Sequence, residues 1–162
     1  MKQILYSLLI TLGFYSCGED PVQFNTAALN DTLVNLEGDN VSLKSILEQH
    51  QGKNIVIDIW ASWCPDCIKG MSKVTALQNK YPEAVYLFFS LDRGVPAWKR
   101  GIKKYNVVGE HYFLPKGKKS PFGSFVNISW IPRYMAINKA GEIVVFNVIE
   151  ADDKKLIEAL KN

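Results

Sequence analysis

Cysteine, histidine and net charge are all scarce in this chain of 162 residues, which has three cysteines, two histidines and a formal charge of +3. A structural zinc site needs about four ligands, usually cysteine and histidine, and the chain has only one closely spaced cysteine pair. A nucleic-acid interface concentrates far more positive charge on one face. We therefore expect no bound metal, no other cofactor and no nucleic-acid partner.

The apolar run near the N-terminus is too short to span a membrane. It extends from Ile4 to Phe14, whereas a transmembrane helix needs roughly 20 residues. Lys2 precedes the run, and a cation followed by a short apolar stretch is typical of a secretory signal. Residues 14–17, in the order Phe-Tyr-Ser-Cys, then resemble the lipobox of bacterial lipoproteins. That resemblance implies a lipid on Cys17; ordinary signal cleavage and an uncleaved anchor are the alternatives.

These features predict three parts of unequal size. Residues 1–16 form a signal peptide, residues 17–32 a polar lipid-anchored tether, and residues 33–162 a single folded domain without internal repeats. The expected location is the cell envelope or periplasm, with the protein held on a membrane through Cys17. The acidic pair at 19 and 20 resembles a signal for the outer membrane or the cell surface.

Apolar periodicity predicts strands that alternate with helices. Strands are expected at 34–36, 41–43, 54–60, 85–91, 134–137 and 143–148, where the first two and the last two form hairpins. Helices are expected at 43–49 after a Ser42 cap, at 65–80, around 98–105, and after a cap at Asp152. Residues 106–130 are expected to be the least regular part of the chain, with Lys116, Lys118 and Lys119 in a solvated loop. Such alternation predicts an α/β fold, in which a central mixed sheet is flanked by helices.

Cys64 and Cys67 are spaced C-x-x-C, directly after a predicted strand and at the start of a predicted helix. This context is typical of a redox motif. Disulfide exchange needs a thiolate, and the free N–H groups at the start of a helix stabilise an anion. Pro65 suits the first helical position because its missing N–H would have no partner there. We expect Cys64 to attack a substrate and Cys67 to resolve the mixed disulfide.

Other uses of the cysteine pair fit the sequence less well. Covalent haem attachment needs a histidine after the second cysteine, where this chain has Ile68. A purely structural disulfide over so short a loop would add little stability. A thiol peroxidase site would need proline at position 57 and threonine at position 61, where Ile57 and Ala61 stand. A binding module without turnover is the alternative from another class, although such modules usually lack one of the cysteines.

Residues 60–67, in the order Trp-Ala-Ser-Trp-Cys-Pro-Asp-Cys, resemble the active-site stretch of the thioredoxin family. Together with the predicted hairpin, Asp92, Trp98 and the Ile131–Pro132 pair, they make residues 32–160 similar to the membrane-tethered TlpA/ResA-like reductases. The resemblance implies a thioredoxin-like fold with an N-terminal β-hairpin extension. It also implies a thiol-disulfide oxidoreductase that acts on protein thiols or disulfides and draws electrons from a donor in the membrane or envelope.

The resemblance also implies roles for particular residues. Pro132 matches a cis-proline that lies against the cysteine pair and helps to bind substrate; a trans proline is the alternative. Asp58 matches a buried carboxylate that moves protons for the resolving cysteine; a hydrogen-bonded core group is the alternative. Arg133 replaces a common threonine and is expected to place a cation beside the substrate groove, which would favour an acidic partner. Residues expected to contact the substrate are also Trp63, Pro65, Asp66 and Ile131.

The direction of electron flow depends on how strongly the Cys64 thiolate is stabilised, because a more stable thiolate makes the pair a stronger oxidant. The start of the helix favours the thiolate. Negative charge on Asp66 and Asp58 opposes it. We therefore expect a moderately reducing pair.

Overall fold

The computed structural model describes residues 20–161, so the predicted signal peptide and Cys17 lie outside the described residues. The strands in this range are β1 (Thr32–Val34), β2 (Asn40–Ser42), β3 (Ile55–Trp60), β4 (Val85–Ser90), β5 (Glu110–Phe113), β6 (Arg133–Ile137) and β7 (Ile143–Val148). The helices are α1 (Thr26–Leu29), α2 (Leu43–Gln49), α3 (Pro65–Lys80), α4 (Val95–Tyr105), α5 (Pro121–Phe125) and α6 (Lys154–Ala159). Within residues 20–161, no helix is long and apolar enough to cross a bilayer.

The strands form one mixed sheet in the order β2-β1-β5-β4-β3-β6-β7. Strand β3 lies near its centre, runs parallel to β4 and antiparallel to β6, and is buried along its whole length. An apolar, β-branched sequence favours this position, because a strand covered on both faces has no polar side. The predicted thioredoxin-like α/β fold is confirmed, and the hairpin β1–β2 extends the sheet beyond β5 as expected.

Helix α3 covers one face of the sheet. Tyr86 on β4 points to this face, because its hydroxyl donates to the carbonyl of Leu77 on α3 at 3.1 Å. Side chains two positions apart on a strand share a face, and Phe88 is paired with Asp58 on β3, which is paired in turn with Tyr134 on β6. Asp58 and Tyr134 therefore lie on the face that α3 covers.

Helix α5 and the N-terminal segment cover the opposite face. The ring of Phe89 on β4 meets that of Phe122 edge to face at 5.2 Å, and Phe24 packs on both Phe122 and Phe125. Asp31 is buried, and its carboxylate accepts a hydrogen bond from the N–H of Phe122 at 2.9 Å. The sequence predicted a tether through residue 32, and aromatic packing and a buried carboxylate fix the part of it at residues 24–31 on the domain.

Two further expectations need correction. Residues 106–130, predicted to be the least regular part of the chain, contain β5 and α5, which the prediction lacked because at four and five residues they are too short to show a clear period in the sequence. The cap of α6 is Asp153 rather than Asp152, because the Asp153 carboxylate accepts from the N–H of Lys155 at 2.8 Å. The lysines of this region, Lys116, Lys118 and Lys119, are exposed as expected.

Candidate active site

The two cysteines lie at the start of α3 and form a disulfide. Cys64 is the residue that caps the helix, and its Sγ accepts a hydrogen bond from the N–H of Cys67 at 3.1 Å. Pro65 occupies the first helical position. The N–H of Cys67 in the first turn therefore points at the sulfur of Cys64, and this arrangement at the start of a helix stabilises negative charge there when the disulfide is reduced.

The loop before β6 lies directly against the disulfide. Cys64 Sγ is 3.6 Å from the carbonyl oxygen of Ile131, and the peptide bond between Ile131 and Pro132 is cis. The cis conformation predicted for this bond is confirmed. Chain segments 67 residues apart thus meet at one sulfur atom.

A buried carboxylate holds the loop that leads into Cys64. Asp92 accepts hydrogen bonds from the backbone N–H of Ser62 at 3.1 Å and from its hydroxyl at 2.6 Å. The hydroxyl of Ser90, at the end of β4, donates to the same carboxylate at 2.9 Å. Asp92 therefore ties the end of β4 to the segment that follows β3, and so fixes the approach to Cys64.

Asp58 is buried beneath the helix, and in the described part of the chain neither of its carboxyl oxygens has a hydrogen-bond partner. Burial raises the pKa of Asp58 to about 8. A carboxyl group that titrates near neutral pH is suited to giving and taking protons. The alternative of a hydrogen-bonded core group does not describe Asp58 in this structure.

Tyr134 lies directly opposite Asp58 across the antiparallel pair of β3 and β6. It is 1% exposed, and its hydroxyl also has no hydrogen-bond partner within residues 20–161. Burial raises the pKa of Tyr134, and the nearby charge of Asp58 raises it further. Two buried polar groups that lack partners thus face each other under α3.

A groove of about 390 Å³ opens beside Pro132. Its walls include Asp66, Lys69, Trp130 and Ile149. Trp130 is 59% exposed and Ile149 is 53% exposed, so the groove offers apolar surface to a partner. Lys73 closes one side, where its ammonium donates to Glu150 at 2.7 Å and to Asp152 at 3.1 Å, and these bonds raise the pKa of Lys73.

The residues predicted to contact the substrate divide into two groups. Pro65, Asp66 and Trp63 are exposed around the disulfide, and Trp63 is 55% exposed. Ile131 is nearly buried but presents its carbonyl oxygen to Cys64. Trp60, in contrast, is fully buried and belongs to the core.

Arg133 does not lie beside the groove, and the prediction that it places a cation there is wrong. The side chain is 5% exposed, and its guanidinium lies over the ring of Phe146 at 5.3 Å. The physical reason is the alternation of the strand, since Arg133 and Tyr134 must point to opposite faces. Tyr134 faces α3, so Arg133 faces the aromatic cluster around α5. Burial lowers the pKa of Arg133.

Sequence reasoning missed Trp130 and Tyr134. An exposed tryptophan directly before an Ile-Pro pair was a usable signal, because a large aromatic residue in a polar loop indicates a contact surface. Tyr134 gave no such signal, since an aromatic residue within a buried strand is ordinary. No group of three or more histidine, cysteine or acidic side chains in the described range is arranged to hold a metal ion.

Comparison with known proteins identifies the family. A family model described as thioredoxin-like matches residues 52–143, which include the cysteine pair and Pro132. The chain belongs to this thioredoxin-like family. The thiol-disulfide oxidoreductase ResA of Bacillus cereus (strain ZK / E33L) is 28% identical over 134 residues, which make up 82% of this chain and 73% of that protein.

The solved structures that resemble this chain are also thioredoxin-like proteins. A Bacteroides vulgatus protein assigned to the thiol-disulfide oxidoreductases superposes with a TM-score of 0.69 at 26% identity, covering 85% of this chain and 88% of its own. The thiol-disulfide oxidoreductase of Bacteroides fragilis NCTC 9343 has the same fold, with a TM-score of 0.68 at 22% identity, over 83% of this chain and 97% of its own. The chain is thus a TlpA/ResA-like thiol-disulfide oxidoreductase of thioredoxin fold.

Proposed function

We propose that this oxidoreductase works outside the cytoplasm and reduces disulfides of other proteins. The observation that carries the proposal is the position of Cys64 Sγ, at the start of α3 and 3.6 Å from the carbonyl oxygen of Ile131. At that position the first turn of a helix favours a thiolate. The adjacent loop and groove can hold an extended substrate beside it.

The reaction transfers two electrons from the cysteine pair to the substrate. The Cys64 thiolate attacks one sulfur of the substrate disulfide, so that a mixed disulfide forms and the second substrate sulfur leaves as a thiolate. Cys67 then loses its proton and attacks Cys64 Sγ, which releases the first substrate sulfur as a thiolate. The products are a substrate dithiol, once both thiolates take up protons, and the Cys64–Cys67 disulfide. A donor in the membrane or envelope then restores the dithiol.

We assign the proton of Cys67 to Asp58. The carboxylate takes this proton in the resolving step and returns it when the dithiol is restored. A pKa of about 8 supports the role, since both forms of Asp58 are populated near neutral pH. Its lack of hydrogen-bond partners in the described chain leaves both oxygens free to act.

Substrate binding is assigned to the rim of the disulfide. Trp63, Pro65 and Asp66 lie on the α3 side, and Ile131 and Pro132 lie on the opposite side. The exposed ring of Trp130 adds an apolar contact at the groove. Backbone groups of the 131–132 segment would pair with an extended substrate strand, while the tryptophans cover its side chains.

The sequence of the first 17 residues supports export and anchoring. A signal peptide at 1–16 and a lipid on Cys17 would place the enzyme in the envelope, attached to a membrane. Metabolic labelling with a radioactive fatty acid tests this. We expect label on the wild type and none on Cys17→Ser, and label on both would contradict the assignment.

The activity is tested by trapping. In Cys67→Ala the mixed disulfide cannot be resolved, so Cys64 should retain its substrate in the native cell as an adduct that dithiothreitol releases. Cys64→Ala is the matched control and should trap nothing. The purified reduced wild type should also reduce the disulfides of insulin. If it reduces no protein disulfide, the reductase is disproved and a binding module is favoured.

The reduction potential tests the direction. Thioredoxin has a potential of about −270 mV and DsbA one of about −120 mV. We expect a value on the reducing side of this range, measured by equilibration with glutathione. A value above about −150 mV would contradict a reductant and indicate an oxidant.

A further inference from the structure

Helix α4 and the residue pair before it carry an unusual concentration of positive charge. Residues 93–109 contain no aspartate or glutamate. The cations of this stretch are all exposed, and we call them the α4 basic surface: Arg93, Lys99, Arg100, Lys103 and Lys104. Within residues 20–161 none of them pairs with a carboxylate, although Lys99 donates to the carbonyl of Leu36 at 2.6 Å.

The fold alone does not account for this charge. Lys99 and Lys103 are four residues apart on the helix, as are Arg100 and Lys104, and like charges at that spacing weaken a helix. The helix dipole favours Lys103 and Lys104 in the last turn. It does not favour Arg93, which precedes the first turn. The repulsion between these cations lowers the stability of α4. A partner with negative charge would remove that repulsion.

The α4 basic surface lies beside the loop that leads into Cys64. A groove of about 590 Å³ is lined by Arg100, Lys103, Lys104 and Ser62. Gly101 packs so closely on Ser62 that any Cβ at this position would collide with the serine side chain. Ser62 is two residues from Cys64, a span of at most about 7 Å of backbone. A partner that occupied the groove would therefore contact the loop that leads into Cys64.

The other flank of the disulfide carries no such excess. There Lys73 is paired with Glu150 and Asp152, and Lys69 lies 4.0 Å from Asp66. Both lysines of the groove beside Pro132 are thus near carboxylates, whereas the cations of the α4 basic surface are not. This asymmetry gives an approaching partner a preferred orientation, because complementary charge steers diffusional encounter.

We propose that the α4 basic surface binds an acidic segment of the redox partner, next to the disulfide that is exchanged. The inference rests on the proposed function and adds the chemistry of its substrate. It replaces Arg133, which is buried, as the source of a preference for acidic partners. A protein segment fits better than a lipid surface, since the surface lies beside the loop of a cysteine pair that exchanges disulfides with proteins.

The test compares two peptides that share one disulfide and differ only in a flank of four glutamates or four glutamines. The reduced protein should reduce the acidic peptide about tenfold faster at low ionic strength. At 0.5 M NaCl the two rates should agree within about twofold, since salt screens exposed charges. The variant R100Q/K103Q/K104Q should show no preference at either ionic strength.

The matched control removes the same charge elsewhere. Lys53, Lys80 and Lys139 line a second groove next to Asn54 and Ala84, at the amino ends of β3 and β4. The variant K53Q/K80Q/K139Q should keep the wild-type preference for the acidic peptide. If this variant lost the preference, the preference would depend on the net charge of the protein and not on the α4 basic surface, and the proposal would be overturned.

Three further outcomes separate the acidic partner, the reductase and a membrane role. Equal rates for both peptides with the wild type would overturn the acidic partner but leave the reductase intact. Failure to reduce either peptide would count against the reductase itself. Binding of the wild type, but not of R100Q/K103Q/K104Q, to phosphatidylglycerol vesicles without any peptide preference would assign the surface to the membrane and overturn the proposal.

Discussion

At the scale of single residues, Asp58 couples the stability of the protein to pH. Its pKa is about 8 in the folded protein and 3.8 when unfolded, so between these values the folded state holds a proton that the unfolded state has lost. Stability therefore falls as the pH rises from 4 towards 8, by at most about 1.4 kcal/mol per pH unit. Below pH 4 both states are protonated and the effect vanishes.

We expect Asp58→Asn to remove this dependence. At pH 7.5 the oxidised variant should be more stable than the wild type by about 2–4 kcal/mol, and at pH 4.5 by much less. Urea unfolding at the two pH values measures the difference. Asp39→Asn, at an exposed carboxylate of the β1–β2 turn, should match the wild type at both. If the free energy of unfolding changed equally with pH in the wild type and in Asp58→Asn, Asp58 would be ionised in the folded protein.

Reduction of insulin by Asp58→Asn should be slower than by the wild type, because the resolving step loses its base.

Trp130 allows a second test at the same scale. Its side chain is 59% exposed beside Pro132, so truncation should weaken substrate contacts without changing the cysteines. We expect Trp130→Ala to reduce insulin about tenfold more slowly, which corresponds to about 1.4 kcal/mol, at an unchanged reduction potential. Val108→Ala, an exposed apolar residue on the chain after α4, should keep the wild-type rate. A change in potential would mean that Trp130 acts on the disulfide itself.

At the scale of elements, Asp31 joins the N-terminal segment to α5. One carboxylate oxygen accepts from the N–H of Phe122 and the other from the N–H of Thr32, both at 2.9 Å. Because Asp31 is buried, Asp31→Ala would leave these donors without partners, and we expect a loss of about 1–3 kcal/mol in the free energy of unfolding. Hydrogen exchange should quicken first at Phe122. Glu83→Ala, at an exposed site, should change stability by less than about 0.5 kcal/mol. A similarly small change in Asp31→Ala would show that the bond is not retained in solution.

Elements with strong local signals could be predicted from the sequence. Strand β3 is apolar along its whole length, and α3 begins at a proline and carries a regular apolar stripe. The elements β5 and α5 could not be predicted, because each depends on tertiary packing of only a few residues. The orientation of Arg133 was also beyond the sequence, since a strand buried on both faces shows no alternation that reveals which side a residue faces.

At the scale of the whole molecule, the domain begins earlier than composition indicates. Half of the residues from 20 to 31 are polar, but Ala28 is fully buried and Phe24 packs on two aromatic rings. The carbonyl of Val22 also accepts from the N–H of Ile143 at the start of β7. The short segment thus contacts both α5 and the outer strand of the sheet.

We therefore expect a chain that begins at residue 32 to be less stable than one that begins at residue 20. The loss should be about 3 kcal/mol or more, from exposed aromatic surface and the missing bonds of Asp31. Urea unfolding of the two oxidised proteins measures it. A difference in the free energy of unfolding below about 0.5 kcal/mol would show that residues 20–31 act as a tether and do not stabilise the domain.

The four tryptophans of the chain are divided between interior and surface. Trp60 and Trp98 are fully buried, whereas Trp63 precedes Cys64 directly and Trp130 precedes Ile131, whose carbonyl touches the same sulfur. A disulfide quenches the fluorescence of an indole close to it by accepting an electron from the excited ring. We therefore expect tryptophan emission to rise when the disulfide is reduced, so that turnover can be followed without any added dye.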